Sequence, residues 1–289
     1  METPRIFANF DGDDPGTRVA KVRAFQIVVA LVVVAEYWIK ALASWDGLAL
    51  GRIVPLAAAS VLSLWVIGGP WRRWAFAGLV LLEAWYVWDT FPLAGNHRYL
   101  GLVFLALFAL LDDEQPEDRR LLLRAVRWMV VVVLFWSGIQ KLIHGYWFQG
   151  QFLAYSLWRP TFQAALGPLL PTEELERLVA YGAEAGAGPF VLSSPSGLVL
   201  SNTIWVAEIA LALMLIPRAT RQVAWIGACV LLVLTEAVAR ELMFGVEFAC
   251  ALTLFSPGAS IRRLVWPVAA LLALLVLVRG LVAPTAVFY

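Results

Sequence analysis

"VVVVLFWSGIQKLIHGYWFQG", residues 130–150, decides how the chain is read. A run of valine and leucine gives way within two helical turns to Ser137, Gly138, Lys141 and His144, then to Tyr146, Trp147 and Phe148. That order is what a helix leaving hydrocarbon needs: an apolar stretch, an amine that reaches the interface, then aromatic rings suited to headgroup level. Similar apolar runs recur along the chain. Of its 289 residues 61% are hydrophobic and only 15% charged, against about 25% charged in soluble domains. Mean hydropathy is +0.78. A soluble core of this size cannot hide so much apolar surface, and lipid can. The expected class is an all-α, polytopic transmembrane bundle. A net charge of +1 argues against nucleic acid as a partner.

The apolar runs predict nine helices, at roughly 24–44, 53–69, 74–93, 98–111, 122–142, 198–217, 222–239, 242–255 and 264–282. Basic residues at their ends alternate in density, fourteen on one side and six on the other, with Lys40 and Lys141 inside the spans. The denser side is the cytoplasmic one, so the N-terminus is expected inside and the C-terminus outside. Residues 1–20 read as a flexible cytoplasmic tail with no cleavable signal, and 21–289 as one transmembrane domain. Segment 144–197 is longer than a hairpin requires and should lie on the outer face. It opens on Tyr146, Trp147, Phe148, Phe152, Tyr155 and Trp158, then carries a short helix from Thr172 to a stop at Gly182. Cys229 and Cys250 sit in apolar runs as small core residues, and no metal site is expected.

Ionisable residues at membrane depth are costly and mark function by default. The spans hold Glu36, Lys40, Glu83, Asp89, Lys141, Glu208, Glu236, Arg240, Glu241 and Glu247. Glu36 and Lys40, four apart with the acid first, read as an intrahelical pair. Glu83 and Glu208, near mid-span, are either protonated or met by a donor from another helix. The helices around 98–111 and 242–255 are shorter than the hydrocarbon is thick, so their outer ends, with His97 and Glu241, should be submerged around a cavity. Glu236 and Arg240 belong to the same outer level, and Ser137, Lys141 and His144 share one face of their helix. Lys141 either snorkels to the interface or uses what distinguishes lysine from arginine, an amine that can give up its proton and act as a base.

"GNHRYL" (95–100), an acidic loop, a long helix ending "SGIQKL" (137–142) and "WFQG" (147–150) resemble the membrane half of vitamin K-dependent gamma-carboxylases, the horizontally transferred transmembrane (HTTM) domain family. "WVAE" (205–208) and "EFACALTLFSP" (247–257) fit its later helices. The resemblance implies a reduced, vitamin K-type quinone as cofactor. Lys141 would be the base that deprotonates it and His97 the group assisting the later carboxylation step, with Glu208, Glu236, Arg240, Glu241 and His144 supporting. Gln140 precedes the lysine where animal enzymes have a second lysine, and Glu236 stands where the family commonly has histidine. The expectation is therefore a quinol-linked step on a peptide, protein or small substrate at the outer face of a bacterial cytoplasmic membrane, rather than carboxylation of a propeptide-bearing protein. A non-catalytic maturation or export factor for a secreted peptide is the alternative, and a small-molecule transporter a further one.

Overall fold

The computed structural model describes residues 13–43, 50–69, 71–92, 95–182, 188–239, 241–256 and 261–281. Every regular element among them is helical. The long helices are α1 (Pro15–Ala43), α2 (Leu50–Gly68), α3 (Arg72–Thr90), α4 (Asn96–Leu110), α5 (Pro116–His144), α9 (Pro195–Leu215), α10 (Arg218–Ala239), α11 (Leu242–Thr253) and α12 (Ile261–Leu281). Between α5 and α9 lie three short helices, α6 (Gln151–Ser156), α7 (Pro160–Leu166) and α8 (Thr172–Ala180), with a single 3-10 turn at Gly167–Leu169. Each apolar run read from the sequence is a helix.

Start signals fix the ends. Pro15 opens α1, and Asp14 accepts hydrogen bonds from the Thr17 amide at 3.0 Å and from its hydroxyl. The helix thus begins within the segment expected to be a tail, and residues 1–12 lie outside the described residues. Pro116 opens α5, with Glu117 and Asp118 in the first turn and Lys141 and His144 in the last, each sign facing the helix end it stabilises. Ser194 caps α9 by accepting from the Gly197 amide, with Pro195 behind it.

Four helices, α1, α5, α9 and α10, are long and apolar enough to cross a membrane. Shorter apolar stretches lie in α2, α4, α11 and α12. Only 11% of the apolar stretch of α10 and 22% of that of α9 is buried within the protein. Val223, Ile226, Val230, Val233 and Leu234 of α10 are all exposed. Each such side chain forgoes about 1.5–3 kcal/mol of burial if it faces water, and hydrocarbon removes that cost.

The expected domain falls into two compact units, Met1–Arg127 with Glu241–Tyr289, and Trp128–Arg240. In the first, α1 is the central helix, packed by α2, α4, α11 and α12. Phe25 meets Phe104 and Phe108 edge-on at 5.0 and 5.8 Å, and Phe76 lies 4.9 Å from Phe108. At one end of this unit Lys21, fully buried, donates to Asp13 at 2.8 Å and to the Ser256 carbonyl at 2.8 Å, while Arg127 donates to Asp13 at 2.6 Å. In the second unit the short helices form a core of Leu153, Ala154, Leu157, Phe162, Leu166, Leu178 and Leu192, and α9 packs along α10.

Candidate functional site: a lysine–carboxylate pair beside an aromatic recess

In the second unit, Ser137 and Lys141 are one turn apart on α5 and face Glu208 of α9. Lys141 Nζ donates to Glu208 Oε1 and Oε2 at 2.8 and 2.9 Å and to Ser137 Oγ at 2.7 Å; the serine hydroxyl donates on to Glu208 at 3.2 Å. Only 19% of the lysine side chain and 12% of the glutamate side chain are exposed, so the pair is shielded rather than snorkelling. Gly138 makes this approach possible: a Cβ there would stand 2.6 Å from Ile209 and 2.9 Å from the Trp205 carbonyl. The mid-span acid therefore has the interhelical donor its burial demands.

The turn after α5 is tied back to α9. Ser201 Oγ donates to the Trp147 carbonyl at 2.7 Å and Asn202 Nδ2 to the Phe148 carbonyl at 3.2 Å. Gly145 and Gly150 turn the chain with φ of 72° and 63°. Trp147 consequently lies with its ring 5.2 Å from Lys141 Nζ. The same indole lines a recess of about 440 Å³ walled by Tyr146, Phe152, Tyr155, Phe190 and Val191, with Gln151 as a polar group. His144 does not join the Ser137–Lys141 face. It is exposed and stacks on Tyr146, another wall of the recess, at 6.3 Å.

His97 belongs to a second polar cluster, in the first unit. Its Nε2 lies 2.9 Å from Glu36 Oε1. Arg98 is 3% exposed; one terminal nitrogen contacts both Glu83 oxygens at 2.7 and 2.8 Å, and the other contacts Glu36 at 2.6 Å. Its guanidinium also lies 4.5 Å from the Tyr86 ring and 5.4 Å from that of Tyr37. Glu36 also meets His97 and Arg98 from another helix, and Lys40 Nζ stands 3.3 Å over the Tyr86 ring. Arg98 is the residue that sequence reasoning missed, having been counted as an ordinary outer-end charge. Its signal was present in a basic residue opening a short helix, with the mid-span acid Glu83 in need of a donor from another helix.

Of the other expected supporting residues, Glu236 ends α10 half-buried. Glu241 is exposed, and its carbonyl accepts from the Gly245 amide at 2.9 Å at the start of α11. Arg240 lies outside the described residues. Among the described residues no group of three or more His, Cys, Asp or Glu could hold a metal ion. His97 and Lys141 thus each have a carboxylate partner within their own unit. Comparison with family models, curated proteins and solved structures finds no match to this chain.

Proposed function

We propose that the chain is a multi-pass membrane enzyme of HTTM type, whose Lys141–Glu208 pair manages the proton of a quinol-type cofactor held in the aromatic recess. The observation that carries the reading is that Trp147 both walls the recess and lies 5.2 Å from Lys141 Nζ, which is itself bonded to Glu208. The recess fits such a group. Its volume falls within the ~300–1,000 Å³ of small-ligand sites, and its Trp, Tyr and Phe walls offer stacking surfaces to a flat ring. A reduced quinone would supply an acidic hydroxyl and a two-electron donor.

The chain's own residues supply the rest. Lys141 can hand a proton across the 2.8 Å contact to Glu208, leaving a neutral amine able to act as base. Ser137, bonded to both, keeps the amine in one rotamer. The Glu208 contact and the Trp147 ring flank the amine, whose side chain is 19% exposed. His97, held by Glu36, keeps the assisting role that the family resemblance implies.

Nine crossings with a cytoplasmic N-terminus and an outer C-terminus, in a bacterial cytoplasmic membrane, complete the reading. The basic-residue bias and the nine helices of 12 or more residues among the described residues support it. So does α3, which exposes Trp71 and Trp74 at one end and Trp85 and Trp88 at the other, as interfacial anchors would be. Membrane-impermeant thiol labelling of Glu114→Cys and Phe148→Cys, with Cys229 and Cys250 replaced by serine, should occur from opposite sides. Labelling from one side would remove this topology.

The decisive variant is Lys141→Arg, tested for protein-dependent oxidation of a reduced naphthoquinone by dissolved oxygen in lipid nanodiscs. Arginine keeps the charge and the Glu208 contact but yields no usable base, so turnover should fall at least about 10²-fold while quinone co-purification persists. Full turnover would make Lys141 structural, and a purified protein holding no quinone above bulk lipid would remove the cofactor. A second reading, a maturation factor that docks a secreted peptide at the outer face, is favoured by the exposed ring set Tyr146, Phe148, Phe152, Tyr155 and Trp158. It predicts that Lys141→Arg is silent in cells.

A further inference from the structure

One wall of the aromatic recess is braced by a helix that does not itself line it. The Phe190 ring stands edge-on to two tyrosines, Tyr155 of α6 at 5.3 Å and Tyr181 at 5.5 Å. Tyr155 is a recess wall like Phe190; Tyr181, at the C-terminal end of α8, meets the same ring without reaching the recess. Gly188 gives that ring its room. A Cβ there would stand 2.8 Å from it and 2.6 Å from the Phe190 amide nitrogen.

The backbone around Phe190 is pinned as well. The Leu192 amide donates to the Gln149 carbonyl at 2.9 Å, just ahead of α6. From α8, Arg177 donates to the Val191 carbonyl at 3.3 Å, and Glu174 accepts from the Ser193 hydroxyl at 2.8 Å and the Ser194 amide at 3.2 Å. Glu174, Arg177 and Tyr181 follow one another at spacings of three and four, which puts them on one face of the helix. They also meet each other: Arg177 lies 3.7 Å from Glu174 and 6.0 Å from the Tyr181 ring. All of these residues belong to the second unit.

We propose that this face of α8 sets the specificity of the recess, with Tyr181 and Arg177 as positioning residues that fix where Phe190 stands. The inference rests on the reading of the recess as a quinone site and adds the class of ring it admits. A wall ring with partners on two sides and a pinned backbone cannot withdraw without giving up contacts. The braced recess therefore favours a two-ring quinone over a wider, three-ring one. Truncating Tyr181 leaves space into which Phe190 can retreat, and the preference shifts toward the wider ring.

Equilibrium dialysis of oxidised methylnaphthoquinone and methylanthraquinone against the full chain in lipid nanodiscs, with empty nanodiscs subtracted, tests it. The wild type should prefer the two-ring compound, and the opposite preference overturns the inference. In Tyr181→Ala the two-ring affinity should fall about 3–10-fold, the scale of one edge-to-face pair, while the three-ring affinity holds or rises. Tyr181→Phe keeps the ring edge and should restore the wild-type ratio. An equal loss for both compounds makes Tyr181 merely structural and overturns its positioning role. Should Tyr181→Ala fail to fold, Arg177→Met, at a side chain 35% exposed, removes the Val191 bond and must move the ratio the same way; an unmoved ratio overturns the assignment. Phe190→Ala separates the two levels of the argument. If it leaves both affinities untouched, the quinone is not in the recess and the functional reading falls with this one. If it shifts the ratio and Tyr181→Ala does not, only the role of α8 falls.

Discussion

Arg98 is asked to neutralise two acids at once. Glu36 arrives from α1 and Glu83 from α3, both almost completely buried, and the guanidinium meets them with separate nitrogens in the forked geometry that lysine lacks. Removing it leaves two uncompensated charges. Arg98→Gln should therefore destabilise the protein by about 3–5 kcal/mol, the cost of breaking a buried pair, read as denaturant unfolding in detergent. Adding Glu36→Gln and Glu83→Gln should restore most of that loss, and no recovery would locate the damage elsewhere. His97 and Lys141 were legible in the sequence because each is a rare residue type at a helix end. Their partners were not, since Glu36 and Glu208 come from other helices and spacing along one helix says nothing about them. For Glu36 the local i,i+4 rule pointed to Lys40 and could not show a cation arriving from another helix.

Among the elements, α8 shows how a short helix is strapped to the start of a long one. Its reading as a short helix ending near Gly182 matches Thr172–Ala180, which starts one residue earlier than an N-cap at Thr172 would give, with Gly182 at φ 60°. What the sequence could not show is the use of Glu174. Its side chain is buried and accepts from the Ser193 and Ser194 amides and from the Ser193 hydroxyl, directly before α9 begins. Burial pushes this carboxyl up, but the hydrogen bonds from Ser194 and Ser193 outweigh it and hold the group below its ordinary 4.5. A lowered value in the folded state means a contribution that is whole above 4.5 and fades as pH falls through the lowered value. Amide exchange of residues 172–195 should accordingly accelerate as the medium is acidified below that range, while Glu174→Gln should exchange fast already near neutrality. Acid-independent protection would mean the strap is held by Leu178 and its apolar neighbours instead.

At the scale of the whole molecule, hydropathy made the long helices readable because a run with few charges has few other places to go. Their division into two units was not readable, because it depends on which apolar faces meet. Four helices, α1, α5, α9 and α10, are long and apolar enough to cross a membrane. α4 has 15 residues, about 22 Å, less than the ~30 Å of hydrocarbon. The Arg98 fork has a consequence for how such a chain is made. Synthesis delivers the acids at 36 and 83 before the guanidinium at 98 has left the ribosome. Until then the nascent protein carries two unmatched acids and has to be shielded by the insertion machinery or enter with both protonated. Translation-arrested chains ending before residue 98 should therefore be cleared by membrane proteases, whereas chains ending beyond α4 should persist.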